Sequence, residues 1–236
     1  FKSPIVSLRY VKNVSEFGTP DMIILPGTKN TMGDLKWIRE SGLEACILKA
    51  SASGTPVWGI CGGYQMLGEV LCDPDQVEDG GTMQGMGLLP SETVFTGQKT
   101  RTRVNGTFAH VEGIFSELSN EGYEIHMGET TYVEEVISKE HMSRIQDTVS
   151  GKISEDGISD GNVYGTYIHG IFDMEGVTDV IVKALAKKKG ITLEKASGMD
   201  LKSFKEEQYD KLADGIRSHL DMERIYEIMK EHVEEK

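Results

Sequence analysis

The stretch that most constrains the fold is residues 57–68, where a short apolar strand leads through one cysteine into an apolar-periodic helix. Cys61 stands at the turn between the two elements, and Gly59, Gly62 and Gly63 flank it. Small neighbours let a chain turn sharply and let a substrate approach closely. Because the sulfur would lie near the positive end of the following helix, we expect thiolate to be favoured over thiol. The G-x-C-x-G pattern indicates a nucleophile, and the alternative is a buried structural cysteine.

Composition narrows the class of protein. The three cysteines, Cys46, Cys61 and Cys72, form no C-x-x-C pair, which argues against a disulfide framework or a metal site and favours a reducing cytoplasm. The net charge is −13 without a basic stripe, so no nucleic-acid partner is expected. The sequence has no apolar run of about 18 residues and no signal peptide, so no membrane partner is expected. The start at Phe1, without a methionine, favours a fragment or a processed chain.

The first third of the chain alternates strand and helix patterns. Residues 4–10 predict a first strand, and residues 11–20 predict a loop. The apolar run at residues 21–25 predicts a strand buried on both faces, and helical spacing over residues 31–52 predicts one broken helix or two short ones. With the strand and helix around Cys61, this rhythm predicts an α/β fold, an open, mostly parallel sheet flanked by helices.

The pattern changes after residue 73. Short β-type segments between residues 86 and 136 predict an antiparallel extension of the sheet, and residues 138–162 predict a hairpin or a mobile loop. A further strand at residues 163–168 ends at His169. The spacing of apolar residues then predicts an amphipathic helix over residues 177–188.

Two further apolar stripes after Gly190 predict a C-terminal helical appendage that packs on the core or on a partner. We therefore divide the chain into a domain at residues 1–192 and an appendage at residues 193–236.

A cysteine nucleophile needs a partner that takes its proton and later protonates the leaving group. The chain has six histidines to choose from, namely His110, His126, His141, His169, His219 and His232. His169 follows a predicted strand directly, and open α/β sheets carry their sites at the carboxyl ends of strands. A Cys–His pair is a recurring activated nucleophile. The alternative for His169 alone is a surface or hydrogen-bonded structural histidine.

Acyl transfer also needs hydrogen-bond donors for a developing oxyanion. The backbone N–H of Gly62, directly after the cysteine, would supply one donor. The turn at residues 26–28, after the preceding apolar strand, is suitably placed to supply a second donor. Loss of one such donor typically costs about 3 kcal/mol of transition-state stabilisation. The alternative for this turn is an ordinary end of a strand.

Several separated motifs together resemble one enzyme class. The signatures of class I (triad-type) glutamine amidotransferase domains are similar to LPGTKNT at residues 25–31, GICGGYQ at residues 59–65 and GTYIHGIFD at residues 165–173. Within that class, GYEIHMGET at residues 122–130 and EQYDKLAD at residues 207–214 resemble the cobyric acid synthase branch. The resemblance runs from about residue 5 to about residue 220, with its motifs in the family's order.

The resemblance implies a role for each matched residue. Cys61 would attack the side-chain carboxamide of L-glutamine, and the oxyanion would rest on the N–H groups of Gly27 and Gly62. His169 would protonate the departing ammonia and then help water to cleave the γ-glutamyl thioester. Gln65 would help to shape the glutamine pocket.

The resemblance also implies a partner. Ammonia would pass to an N-terminal ATP-dependent ligase domain, absent from this chain, that amidates adenosylcobyrinic acid a,c-diamide on the way to cobalamin. The chain has no G-x-x-x-x-G-K-[ST] phosphate cradle. We therefore expect it to carry no cofactor of its own, with ATP and magnesium on the ligase domain.

One departure from the class concerns the histidine. The general class has a glutamate two residues after it, whereas this chain has Ile171. The resemblance then implies a Cys–His dyad, with Asp173 as a candidate to orient His169. His126 is a candidate for the glutamine pocket or the domain interface, and the alternative is a structural strand histidine.

The sequence also allows two other interpretations of the function. The chain could serve a related ligase, such as cobyrinic acid a,c-diamide synthase or the amidating pair that acts on lipid II. It could also be a catalytically silent module whose cysteine turn only docks a ligase.

Overall fold

The computed structural model describes residues 5–108, 118–132, 141–174, 176–193 and 201–233. Its helices are α1 (Val14–Phe17), α2 (Thr31–Glu40), α3 (Leu43–Ala52), α4 (Gly62–Leu67), α5 (Val177–Lys188), α6 (Leu201–His219) and α7 (Met222–Val233). Its strands are β1 (Ile23–Leu25), β2 (Val57–Ile60), β3 (Val70–Asp73), β4 (Gly81–Gln84), β5 (Ser91–Phe108), β6 (Ser119–Tyr132), β7 (Ser143–Asp147), β8 (Ile153–Asp156), β9 (Ile158–Asp160), β10 (Val163–Thr166) and β11 (Ile168–His169).

The smaller of two sheets carries the parallel strands. Its order is β1-β2-β10-β9, in which β1, β2 and β10 run parallel and β9 runs antiparallel to β10. Gly59 in β2 stands opposite Leu25 in β1 and Gly165 in β10, so the three parallel strands end at one edge. The segments that follow these strands contain Gly27, Cys61 and His169. The predicted α/β fold with flanking helices is confirmed.

The antiparallel extension predicted from the sequence forms most of the larger sheet, in which β3 and β5 pair in parallel. Its path is β11-β6-β5-β3-β4, with β7 paired to β5 and β8 paired to β7. Most of it is the long antiparallel pair of β5 and β6, whose register shifts between Val94 and Lys99. The chain passes from the smaller sheet to the larger at Tyr167, between the end of β10 and the start of β11. This crossing places His169 where the two sheets meet.

Several local predictions differ from the structure. Residues 5–10 form no strand, and the predicted loop after them contains α1. Ile24 is 38% exposed, so β1, which lies at the edge of its sheet, is not buried on both faces. The short strands expected between residues 86 and 136 are the continuous β5 and β6 in the part that the structure describes. Residues 109–117 and 133–140 lie outside it.

The helix after the cysteine turn is buried on every side. All six residues of α4 are buried, and the helix packs between β1, β2 and β10. Trp58 in β2 stacks on Tyr164 in β10, with their ring centroids 4.8 Å apart. Full burial of one such large apolar side chain contributes about 1.5–3 kcal/mol. The turn that holds Cys61 is therefore supported by a fully buried helix and a stacked aromatic pair.

The two helices of the C-terminal segment are confirmed as α6 and α7. Their apolar side chains remain largely exposed, for example Leu212 at 61% and Ile216 at 41%. Lys205 in α6 forms an ion pair with Asp173, with Nζ and Oδ2 3.0 Å apart. Among the described helices, none is both long enough and apolar enough to cross a membrane.

Candidate active site at the edge of the parallel strands

The backbone at Cys61 is strained. Its φ is 53° and its ψ is −112°, between the end of β2 and the first residue of α4. A non-glycine residue held in such a region costs about 1–3 kcal/mol and persists only where the surroundings enforce it. The buried helix α4 and a hydrogen bond from the Cys61 N–H to the Thr166 carbonyl, 2.8 Å long, supply that enforcement. Cys61 thus stands at a strained, sharp strand-to-helix turn, the backbone geometry typical of nucleophile elbows.

The thiol of Cys61 is buried, and its pKa is raised. Sγ donates a hydrogen bond to the carbonyl oxygen of Ile125, at 3.3 Å. The pKa of the thiol is raised to about 11, chiefly by burial and slightly by the negative charge of Glu78, against the lowering effect of the Gly62 N–H. The expectation of a thiolate is therefore wrong for this structure. Helix α4 has only six residues, and the cost of burying a charge exceeds what its N-terminus offers.

His169 lies where β11 pairs with β6. Its imidazole stacks on the ring of Tyr123, with centroids 5.0 Å apart and an interplanar angle of 4°. Burial lowers the pKa of His169, while a hydrogen bond with the Ile125 backbone raises it. Nε2 is buried and has no hydrogen-bond partner among the described residues. A neutral ring with one unused nitrogen is suited to accept a proton.

The structure places the predicted oxyanion turn between the cysteine and the histidine. A Cβ built on Gly27 would lie 2.8 Å from Cε1 of His169 and 3.5 Å from Cβ of Cys61. A Cβ built on Gly62 would lie 3.2 Å from the backbone nitrogen of Thr28. Four of the five predicted site residues therefore meet in one place. No side chain other than hydrogen fits at Gly27 without displacing the imidazole.

Gln65, the fifth predicted residue, lies in α4, four positions after Cys61. Its side chain is 2% exposed, and its amide is fully engaged with protein atoms. Nε2 donates to the carbonyl of Met127 at 3.0 Å and to the hydroxyl of Tyr167 at 3.1 Å. Oε1 accepts from the hydroxyl of Thr31 at 3.1 Å. Gln65 thus ties the helix after the cysteine to β6 and to the sheet crossing.

Asp173 does not take the place of the class glutamate. Its carboxylate pairs with Lys205. Among the other histidines, His141 pairs with Glu155 at 2.9 Å, and His219 bonds to the Gly215 carbonyl at 2.8 Å. His110 lies outside the described residues.

Strand β6 contributes more to the site than the sequence predicted. Besides Tyr123 and the Ile125 carbonyl, it carries His126, whose ring stacks on Tyr167 at 3.8 Å. Nδ1 of His126 lies 3.2 Å from the Gly128 carbonyl. Because a carbonyl only accepts, this nitrogen carries the hydrogen, and Nε2 keeps a lone pair in the neutral ring. The motif at residues 122–130 was the available signal, but it did not identify Tyr123 or the Ile125 carbonyl.

Within the described ranges, no group of three or more His, Cys, Asp or Glu side chains could hold a metal ion.

Comparisons with known proteins agree on one family. Residues 2–177 match the model of the CobB/CobQ-like glutamine amidotransferase domain. Cobyric acid synthase of Ruminiclostridium cellulolyticum is 54% identical over 231 residues, which cover 97% of this chain and 45% of that protein. Cobyric acid synthase of Lachnoclostridium phytofermentans is 52% identical over 241 residues, covering 98% of this chain and 46% of that protein. The chain therefore spans just under half the length of these relatives.

A solved glutamine amidotransferase structure has a similar fold. It aligns with a TM-score of 0.51 at 15% identity, covering 77% of this chain and 87% of that chain. At this identity the likeness concerns the fold alone.

Proposed function

The chain belongs to the CobB/CobQ-like glutamine amidotransferase family, and on that basis we propose that it is the glutaminase part of a cobyric acid synthase. The observation that carries the proposal is the meeting of Cys61, Gly27 and His169 at the edge of the parallel strands. Relatives 54% and 52% identical to the chain bear the name cobyric acid synthase. We assign residues 1–192 to the glutaminase and residues 193–236 to a helical appendage; the family match ends at residue 177.

The first half-reaction forms a thioester. A thiol with a pKa of about 11 is ionised to only about one part in 10⁴ at pH 7. Proton transfer to the imidazole of His169 therefore accompanies the attack of Sγ on the glutamine carboxamide carbon. The oxyanion rests on the N–H groups of Gly27 and Gly62, each worth about 3 kcal/mol in such sites. When the tetrahedral intermediate collapses, the C–N bond breaks, His169 returns its proton to nitrogen and ammonia leaves.

The second half-reaction regenerates the thiol. His169, neutral again, takes a proton from a water molecule that attacks the thioester carbonyl on the same two N–H groups. The C–S bond breaks, the proton returns to sulfur and glutamate leaves. The sum is glutamine plus water giving glutamate plus ammonia. Gln65 contributes indirectly, because its amide holds the Met127 carbonyl and the hydroxyls of Tyr167 and Thr31 in place.

The ammonia is used by a separate ligase domain in this proposal. That domain would correspond to the part of the relatives, more than half their length, that this chain does not span. It would bind ATP and magnesium and amidate peripheral carboxylates of adenosylcobyrinic acid a,c-diamide. This chain itself would need only L-glutamine and a docking surface.

The pH dependence of glutamine hydrolysis tests the protonation states of the dyad. Burial lowers the pKa of His169. We therefore expect kcat/KM to fall only below about pH 6.5, the ordinary pKa of a histidine. Above that limb the rate should stay level through about pH 9, because the thiol still holds its proton there. Glutamate release measured over this range checks the prediction. An alkaline limb near neutral pH would instead indicate a preformed thiolate–imidazolium pair and contradict it.

Reconstitution tests the assigned substrate. We expect this chain, mixed with the N-terminal half of the Ruminiclostridium cellulolyticum relative, to support ATP- and glutamine-dependent amidation of adenosylcobyrinic acid a,c-diamide. Mass spectrometry of the corrinoid product gives the readout, and free ammonia in place of glutamine tests the ligase half alone.

The control outcomes separate the alternatives. This chain could instead support the ligases that act on cobyrinic acid or lipid II better than the ligase that acts on adenosylcobyrinic acid a,c-diamide. That result would favour a related amidotransferase. Ammonia-dependent but never glutamine-dependent amidation, without glutamate release, would show a silent docking module and contradict the proposal.

A further inference from the structure

A buried carboxylate sits at the point where the chain crosses from one sheet to the other. Asp156 ends β8, and its side chain is 3% exposed. Oδ1 accepts the N–H of Tyr167, the crossing residue, at 2.9 Å. Oδ2 accepts the hydroxyl of Thr166 and, at 3.5 Å, the hydroxyl of Ser143. Asp156 thus binds the last residue of β10, the crossing residue and the neighbouring strand β7.

Thr166 connects this carboxylate to both members of the dyad. Its carbonyl accepts the N–H of Cys61 at 2.8 Å. Its hydroxyl oxygen accepts the N–H of Ile168, the residue before His169, at 3.0 Å. The same hydroxyl donates its hydrogen to Asp156. One side chain therefore links the backbone of the nucleophile to the backbone that carries the histidine.

The direction of these hydrogen bonds depends on an acceptor at position 156. A hydroxyl has one hydrogen to donate, and here it is given to the carboxylate, which leaves the oxygen lone pairs for the Ile168 N–H. An asparagine at position 156 has only one acceptor oxygen, so either the Thr166 hydroxyl hydrogen or the Tyr167 N–H would lose its acceptor. A buried donor left without an acceptor is costly, so the segment of residues 166–168 would rearrange.

We propose that Asp156 is a positioning residue for His169, acting through Thr166 and the backbone of residues 166–168. This inference rests on the proposed function, because it assigns Asp156 to the same dyad. In the general class a glutamate two residues after the histidine stands where this chain has Ile171. Here the carboxylate of Asp156 fixes the imidazole indirectly, through its hydrogen bonds to the Thr166 hydroxyl and the Tyr167 N–H. On the other side, the Tyr123 ring holds the same imidazole by stacking.

The electrostatics agree with this role. Burial raises the pKa of Asp156 to about 6, although hydrogen bonds from Thr166, Tyr167 and Ser143 and the nearby His141 lower it. The carboxylate is therefore the prevailing form at pH 8. A buried charge with three donors from separate segments ties those segments together.

The test uses 6-diazo-5-oxo-norleucine, which reports on the dyad without a ligase. In its reaction the thiol proton reaches the diazo carbon by way of His169, N₂ leaves and a C–S bond forms. A misplaced histidine slows this step, and misplacement by about 1 Å can cost as much as 10²-fold. For Asp156→Asn at pH 8 we expect kinact to fall roughly 10- to 100-fold, with KI within about twofold of wild type.

Matched variants distinguish positioning from simple loss of stability. Thr166→Val removes the linking hydroxyl and should fall like Asp156→Asn, whereas Thr166→Ser keeps the hydroxyl and should restore most of the rate. Asp147→Asn is the control. Asp147 also accepts a hydrogen bond from a threonine hydroxyl, that of Thr102, but its hydrogen bond from the Val149 N–H stabilises an exposed turn. It should leave kinact unchanged.

Thermal unfolding of each variant, measured alongside, shows that labelling is done on folded protein. If Asp156→Asn does not fold, the two Thr166 variants carry the test. Equal kinact for Thr166→Val and Thr166→Ser, with a reactive wild type, would overturn the role of Asp156. A wild type that never reacts at Cys61 would instead overturn the proposed function and this inference with it.

Discussion

Replacing Cys61 by alanine should abolish the single covalent adduct that 6-diazo-5-oxo-norleucine forms with this chain. The reagent has the α-amino and carboxylate groups of glutamine and places its electrophilic carbon where the carboxamide would be. Only a thiol at the end of the glutamine pocket can then react. Loss of a catalytic nucleophile typically costs about 10⁶-fold in rate, so no residual labelling is expected. Intact-mass analysis of wild type and Cys61→Ala makes the comparison directly.

The other two cysteines provide matched controls. Cys46 and Cys72 are free and only partly buried, so both are more accessible to a general alkylating reagent than Cys61. We expect Cys46→Ala and Cys72→Ala to keep the adduct. Labelling that disappears with either of these variants would show that the reagent reacts by exposure and that Cys61 is not the nucleophile. A wild type labelled only after a ligase half is added would place completion of the pocket at the domain interface.

The cysteine turn and its histidine could be found from the sequence because their signals are local. Glycines at positions 59, 62 and 63 around one cysteine define a turn within five residues, and a strand pattern that ends at His169 needs only its own neighbours. Parallel strands bring their ends to one edge. The meeting of Cys61 with His169 therefore follows from the fold class.

The rest of the site depends on contacts between distant residues, which a single sequence does not encode visibly. The Ile125 carbonyl accepts a hydrogen bond from a thiol 64 positions away. Because every residue has a carbonyl, the sequence gives no sign that this one has a special partner. Asp156 has no motif of its own, and its role comes from being buried beside Thr166 and Tyr167. The thiol pKa was misjudged for the same reason. A helix N-terminus can be read from sequence, whereas the degree of burial that outweighs it cannot.

The sequence predicted short segments where the structure has the long strands β5 and β6. Gly122 lies within β6. A Cβ built there would lie 2.2 Å from the His169 carbonyl, so glycine permits β11 to approach β6. Glycine at position 122 therefore makes room for the segment that carries His169.

Gly63→Ala should unfold the site or the whole domain. A Cβ at this position would lie 2.0 Å from the Leu25 carbonyl oxygen and 2.6 Å from its carbon. Both are backbone atoms at the end of β1, so no side chain can rotate away. Helix α4 would have to move off β1, taking Cys61 at its N-terminus away from Gly27. We expect the free energy of unfolding to fall by about 3 kcal/mol or more, together with loss of labelling.

Gly97→Ala is the matched control for this variant, because a Cβ there would meet no atom within 4 Å. Its effect should stay within about 0.5 kcal/mol. Urea unfolding of the three proteins, with labelling of each in native buffer, gives both readouts. A Gly63→Ala protein as stable and as reactive as Gly97→Ala would mean that α4 can shift without moving the nucleophile. The close approach of the helix to β1 would then be irrelevant to catalysis, and the explanation of the strained cysteine by tight packing would be wrong.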